Sequence, residues 1–175
     1  VLEENLRDAA FHAYFEQHHA SMSRLAYLMT GEAEVADDLA ADALTEVWRH
    51  WDRVTAADDP VAYGHGIVMN LARNWIRRRS RERLLSLDPF RRATDPDVSA
   101  VVDVRSALRR LPHRRRACVV LRYAFDMSER EVASALNISV GAVKSATSRG
   151  ARQLAELLGG GNVAMARIDG WEAAR

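Results

Sequence analysis

Apolar side chains recur every three or four residues along most of this chain, the period of a helix buried on one face. Phe11, Phe15, Met22, Leu25 and Met29 are spaced for one face of a long first helix, with Gly31 as its stop. Val35, Leu39, Ala43, Val47 and Trp51 mark a second stripe, spaced by fours. A polar stretch from Asp52 to Asp59 then breaks the pattern and predicts a loop. Pro60 suits the first turn of a third helix, where its missing N–H costs nothing. Ile67, Val68, Leu71, Trp75 and Ile76 form that helix's stripe, and Arg77, Arg78, Arg79, Arg81 and Arg83 end it, which also suits the helix dipole.

Periodicity is lost over residues 84–99, where two Asp-Pro pairs push their aspartates out of helical geometry. This segment predicts a flexible linker. The pattern restarts at Val101, Val104, Leu108 and Leu111, stops at Pro112, and resumes with Val119, Val120, Leu121 and Tyr123. Ser128 and Glu131 have the spacing of a capping box, Asn137-Ile138 predict a tight turn, and Ser139 is placed to cap a last helix that ends before Gly159. Strand alternation and hairpin dipeptides are absent. The expected fold is all-α: two small helical domains, 1–83 and 100–158, joined by the linker 84–99, with a tail from 159.

Charge changes the picture once it is mapped. Residues 1–59 hold 13 acidic and 4 basic side chains, 60–92 hold 2 and 8, and 93–158 hold 7 and 11. An acidic front followed by two basic blocks points to a basic partner for the front and a polyanion for the rest. The skew to arginine, with Lys144 the one lysine, reads as genomic composition. The opening VLEENLRDAA is acidic and lacks the form of an export signal, no apolar run is long enough for a membrane span, and the single cysteine, Cys118, reads as a packed residue. These features predict a cytoplasmic protein with no membrane insertion.

Residues 128–158 have the form of a helix-turn-helix, with Val140 and Val143 expected to lock the angle between its helices. The second helix then offers Lys144, Ser145, Ser148, Arg149 and Arg152 to a DNA major groove, and no acidic side chain interrupts Ser139 to Gln153. A helical packing module is the alternative for this segment, and the one-signed face argues against it.

The run from Leu111-Pro112 through Arg116, Leu121-Arg122-Tyr123, Met127-Ser128, Glu131-Val132-Ala133 and Ser139-Val140-Gly141-Ala142-Val143-Lys144-Ser145 resembles region 4 of sigma-70 transcription factors. Response regulators share part of that pattern, and a response-regulator-like helix-turn-helix regulator is the competing reading. The front half separates them. Asp37-Asp38-Leu39-Ala40-Ala41-Asp42-Ala43-Leu44, Asp59-Pro60-Val61-Ala62-Tyr63 and Asn70-Leu71-Ala72-Arg73-Asn74 are similar to sigma region 2. Together the motifs identify a resemblance to the small extracytoplasmic-function (ECF) type, with regions 2 and 4 alone.

That resemblance implies a non-enzymatic factor, without cofactor or metal, that binds core RNA polymerase through its β′ and β subunits. It would recognise −35 and −10 promoter elements, promote melting, and be held in check by an anti-sigma factor. Asp37, Asp38, Leu39, Asp42 and Glu46 are the implied polymerase contacts. Trp51, Asn70, Arg73, Arg77, Arg78 and Arg81 are the implied −10 contacts, with Asn70 reading a flipped base. Ser139, Lys144, Ser145, Ser148, Arg149 and Arg152 are the implied −35 contacts. By chemistry Trp48, Trp51 and Trp75 are also able to stack on bases, although Trp75 beside Leu71 reads as core. Departures from the family pattern include Ala41, Leu44 and Ala146, and also Gly64 and Gly66, where bulky or basic residues are more usual. Dispersed histidines and the absence of phosphate-loop or nucleophile-elbow motifs argue against an enzyme.

Overall fold

Two helical bundles pack directly on one another. The computed structural model describes residues 2–85 and 104–159, with side chains from 5–82 and 104–159. Among the described residues there are eight helices and no strand. The first bundle comprises α1 (Leu2–Thr30), α2 (Ala33–Arg49), the short α3 (Trp51–Thr55) and α4 (Pro60–Leu85). The second comprises α5 (Val104–Arg110), α6 (His113–Tyr123), α7 (Glu129–Leu136) and α8 (Val140–Leu157). α4 runs two residues into the segment expected to be the linker; the rest of that segment and the tail beyond Gly159 lie outside the described residues.

Local chemistry sets the helix ends. α1 ends at Thr30, where Gly31 follows with φ +80. Asp59 Oδ1 accepts from the backbone N–H groups of Val61 and Ala62, both at 2.9 Å, satisfying first-turn donors that have no partner within α4. Ser128 and Glu131 form the expected capping box of α7, and Ser139 Oγ accepts from Ala142 N at 3.2 Å to cap α8. Between them Asn137 adopts the left-handed conformation (φ 50), a backbone state that asparagine tolerates better than most side chains.

Met22, Leu25, Met29, Ala43, Val47 and Val68 are fully buried and centre the first core. Three expectations are corrected. Phe15 lies 36% exposed, stacked on His19 at 5.2 Å, while its neighbour Tyr14 turns into the core. Val140 is 36% exposed; Val143 alone of that pair sits in the second core, with Leu154, Val132 and Leu121. The loop expected from Asp52 is helical to Thr55, and Trp51, an implied −10 contact, is buried.

The two bundles meet along α4 and α7, and along α1 with α5 and α6. Arg116, 7% exposed, crosses this seam. Its guanidinium donates to the carbonyl of Met29 in α1 and, on its own side, to those of Arg109 at 2.6 Å and Leu111 at 3.2 Å. Burial, then repulsion from Arg109, lowers its pKa to about 10, so it stays charged at neutral pH.

Candidate nucleic-acid interface

Three faces carry the residues singled out above. The first is the solvent side of α2. Asp37, Asp38 and Asp42 are exposed along it. Asp37 accepts a 2.5 Å hydrogen bond from Ser23 Oγ, and Glu46 pairs with Arg49 at 2.6 Å and lies 3.6 Å from His50. Leu39 departs from expectation: at 8% exposed it faces the core, because it lies in register with Ala43 and Val47. It supports the acidic face rather than forming part of it.

The second face is α4. Asn70, Arg73, Arg77, Arg78 and Arg81 are all exposed on it. Arg79 turns aside, pairing with Glu32 at 3.0 Å and lying over the Trp75 ring at 5.2 Å. Trp51 is absent from this face. It is 7% exposed and wedged edge-on between Phe11 and Tyr14, with ring centroids 5.5 Å away in both cases, which leaves no ring face for a base. Trp48 is likewise engaged, with Phe11 at 4.9 Å and Arg7 over its ring at 4.8 Å.

The third face is α8. Lys144, Ser148, Arg149 and Arg152 are exposed, and Ser145 is half-buried. Arg149 donates to Ser145 Oγ one helical turn back, and Lys144 lies 3.5 Å from Glu129 of α7. These are solvent-screened contacts, readily exchanged for phosphate. Ser139 uses its hydroxyl to cap the helix, so it holds α8 in place while its own oxygen is already committed. The first turn of α8 contains no acid, so its dipole and its cations act in the same direction.

Sequence reasoning did not find what stands opposite Asn70. A groove between the bundles is walled by Asp59, Tyr63 and Asn70 on one side and by Arg130, Ser134 and Asn137 on the other. Two histidines line the same seam. His65 is buried, with Phe125 edge-on at 5.0 Å, and burial followed by repulsion from His18 pushes its pKa down to about 4. His113 is pushed down to about 4 by burial, then by Arg116 and by Arg73 across the seam. Gly66, against the Ala135 backbone, is the one local signal of this close approach; Gly64 instead faces Tyr14 and Met22 of α1.

Comparison with known proteins fits this layout. The family model described as Sigma-70 region 2 matches residues 14–82, and that described as Sigma-70, region 4 matches residues 102–154. Among curated relatives, the ECF RNA polymerase sigma factor SigM of Mycobacterium tuberculosis is 33% identical over 155 residues, covering 86% of this chain and 78% of that protein. The RNA polymerase sigma-E factor of Streptomyces coelicolor is 30% identical over 154 residues, covering 85% of each. Among solved structures, the sigma factor RpoE of Bartonella quintana, crystallised with the anti-sigma factor NepR, superposes with a TM-score of 0.70. It is 23% identical, covers 85% of this chain and 96% of its own, and supports the fold alone. CnrH, in complex with the cytosolic domain of CnrY, gives 0.63 at 25% identity, covering 86% and 88%.

Proposed function

The chain belongs to the sigma-70 family, among its ECF sigma factors, and on that premise we propose how its three charged faces divide the work of initiation. The solvent side of α2, with Asp37, Asp38 and Asp42 foremost and Glu46 beyond them, docks on a basic surface of core RNA polymerase. Acidic side chains there steer association and fix its orientation. The exposed face of α4 takes the −10 element. Asn70 carries a small amide suited to reading the exposed edge of an unpaired base, and Arg73, Arg77, Arg78 and Arg81 hold phosphates. The exposed face of α8 enters the major groove at the −35 element, with Lys144, Ser148, Arg149 and Arg152 outermost.

One observation carries this reading: an anionic helix and two cationic faces on separate elements, α2 and α4 in the stretch matched by region 2 and α8 in that matched by region 4. A regulator that binds duplex DNA without polymerase is not favoured, because the front half is helical and matches region 2. Strand separation follows from this division without any chemistry in the chain itself: capture of one strand on α4 opposes re-pairing. An anti-sigma factor is a further proposed partner, as the family resemblance implies; CnrH, a structural relative, was solved in complex with the cytosolic domain of CnrY.

Gel filtration of the purified chain with core polymerase tests the docking step. The chain is expected to co-elute with the core, and Asp38→Lys with Asp42→Lys to abolish that co-elution while the helical circular dichroism is retained. Co-elution undisturbed by the double reversal would refute the assignment of α2.

A further inference from the structure

Two adjacent positions at the start of α8 have no explanation inside the chain. Among the described residues the exposed large apolar side chains are Leu6, Phe15 and Val140. Val140, 36% exposed, is the first residue of α8. A single exposed apolar residue is ordinary on a protein surface. Its neighbour makes this one informative.

That neighbour is Gly141. α8 holds two glycines, and packing explains Gly150: a Cβ there would sit 2.7 Å from Val119 Cγ2 and 3.1 Å from the carbonyl oxygen of Arg115. A Cβ at Gly141 would meet nothing within 4 Å. Its φ is not positive, so neither space nor backbone conformation calls for glycine. Glycine there gives up helix propensity with no return from the fold. What it leaves is a bare strip of backbone beside an apolar side chain, open to close approach from outside the chain.

The strip lies on the face assigned above to the major groove. Val140, Lys144 and Ser148 are spaced by fours and form one row along α8; Gly141, Ser145, Arg149 and Arg152 form the next. Val143, Gly150 and Leu154 hold the opposite, buried side. A recognition helix brings its N-terminal residues nearest to the base edges. There Lys144, Ser148 and the arginines are able to bond phosphates or bases, whereas Val140 bonds neither. An apolar side chain pressed on polar base-edge atoms strips their water and returns no hydrogen bond. The apolar group that a base pair offers in the major groove is the C5-methyl of thymine.

We propose that Val140 is a specificity-determining residue, packed on the C5-methyl of a thymine in the −35 element, with Gly141 bare so that α8 seats deeply enough to make that contact. The inference rests on the assignment of α8 to the −35 element and adds an apolar reader to its polar set.

Promoter duplexes enriched from a randomised pool by the full chain bound to core polymerase supply the probe for gel-shift titrations. Each thymine of the upstream element is replaced in turn by deoxyuridine, which removes the methyl and keeps every hydrogen-bonding group. At one position the parent is expected to bind about fourfold more weakly, the factor that one lost methyl contact implies. Val140→Ala is expected to bind the thymine and deoxyuridine duplexes alike at that position. Cytosine and 5-methylcytosine placed there are expected to differ by the same factor in the parent and not in Val140→Ala. Gly141→Ala meets no atom of the chain and is expected to keep the helical circular dichroism while losing about tenfold in affinity, as a disrupted base-pair contact does. An enriched upstream element without a thymine, or a deoxyuridine penalty of equal size in the parent and Val140→Ala, overturns the proposal for Val140. Full affinity in Gly141→Ala overturns the close approach. Enriched duplexes bound equally well after Arg149→Ala and Arg152→Ala are combined would overturn instead the assignment of α8 to the −35 element.

Discussion

Buried polar side chains at the seam are where single residues matter most. Arg116 satisfies three carbonyls from two bundles with one guanidinium. Arg116→Ala is expected to cost about 2–4 kcal/mol in urea unfolding, since it strands buried acceptors as well as removing charge-assisted bonds. His65 predicts a pH dependence. Its folded pKa lies near 4 against an ordinary 6.5, so folding favours the neutral ring, and its contribution is complete above about pH 6.5 and falls away toward pH 4. The groups facing it are His18 and Ser21 of α1, Asp59 before α4, and Phe125 with Arg24 beyond. At pH 5.5 the loss from this ring is on the order of 1 kcal/mol relative to pH 7.5. His65→Gln is expected to flatten that part of the stability–pH curve; a curve of unchanged shape would place the titration elsewhere. Single residues also show where sequence reading succeeds and fails. Asn70 and the α4 arginines are exposed, as their polarity suggests, whereas Leu39 and Trp51 are buried. The period-four stripe from Val35 already pointed to burial for both, and the family motif drew attention to their chemistry instead of their register.

Helix ends were the most legible elements, because capping is local. Ser128, Glu131 and Ser139 act within three residues of themselves, and the structure places each where its spacing implies. Ser128→Ala is expected to lower stability by ~1 kcal/mol in thermal or urea unfolding, by freeing the N–H of Glu131. The recognition helix supports a separate test. Arg149→Ala and Arg152→Ala are each expected to weaken binding to a −35 duplex and to reduce the slope of log K against log salt by about one. A slope unchanged in both variants would remove α8 from the phosphate contacts. Less legible was α3, where the chain bends at His50 yet stays helical enough to keep Trp51 in the core. No periodicity spans such a break, so the polar run there carries no helical signal.

At the scale of the whole molecule, the packing of one bundle on the other is barely legible in the sequence. Contacts between positions 66 and 135, or 29 and 116, leave no periodic trace in a single sequence. Gly66, as a departure from the family pattern, was the one hint of them. Charge segregation along the chain did survive into three dimensions, as an anionic α2 and cationic α4 and α8. Mapping transcript 5′ ends on genomic DNA, from core polymerase with and without the purified chain, bears most directly on the division of labour among the three faces. New start sites that share two upstream sequence elements are the predicted result. Start sites identical in the presence and absence of the chain would contradict it.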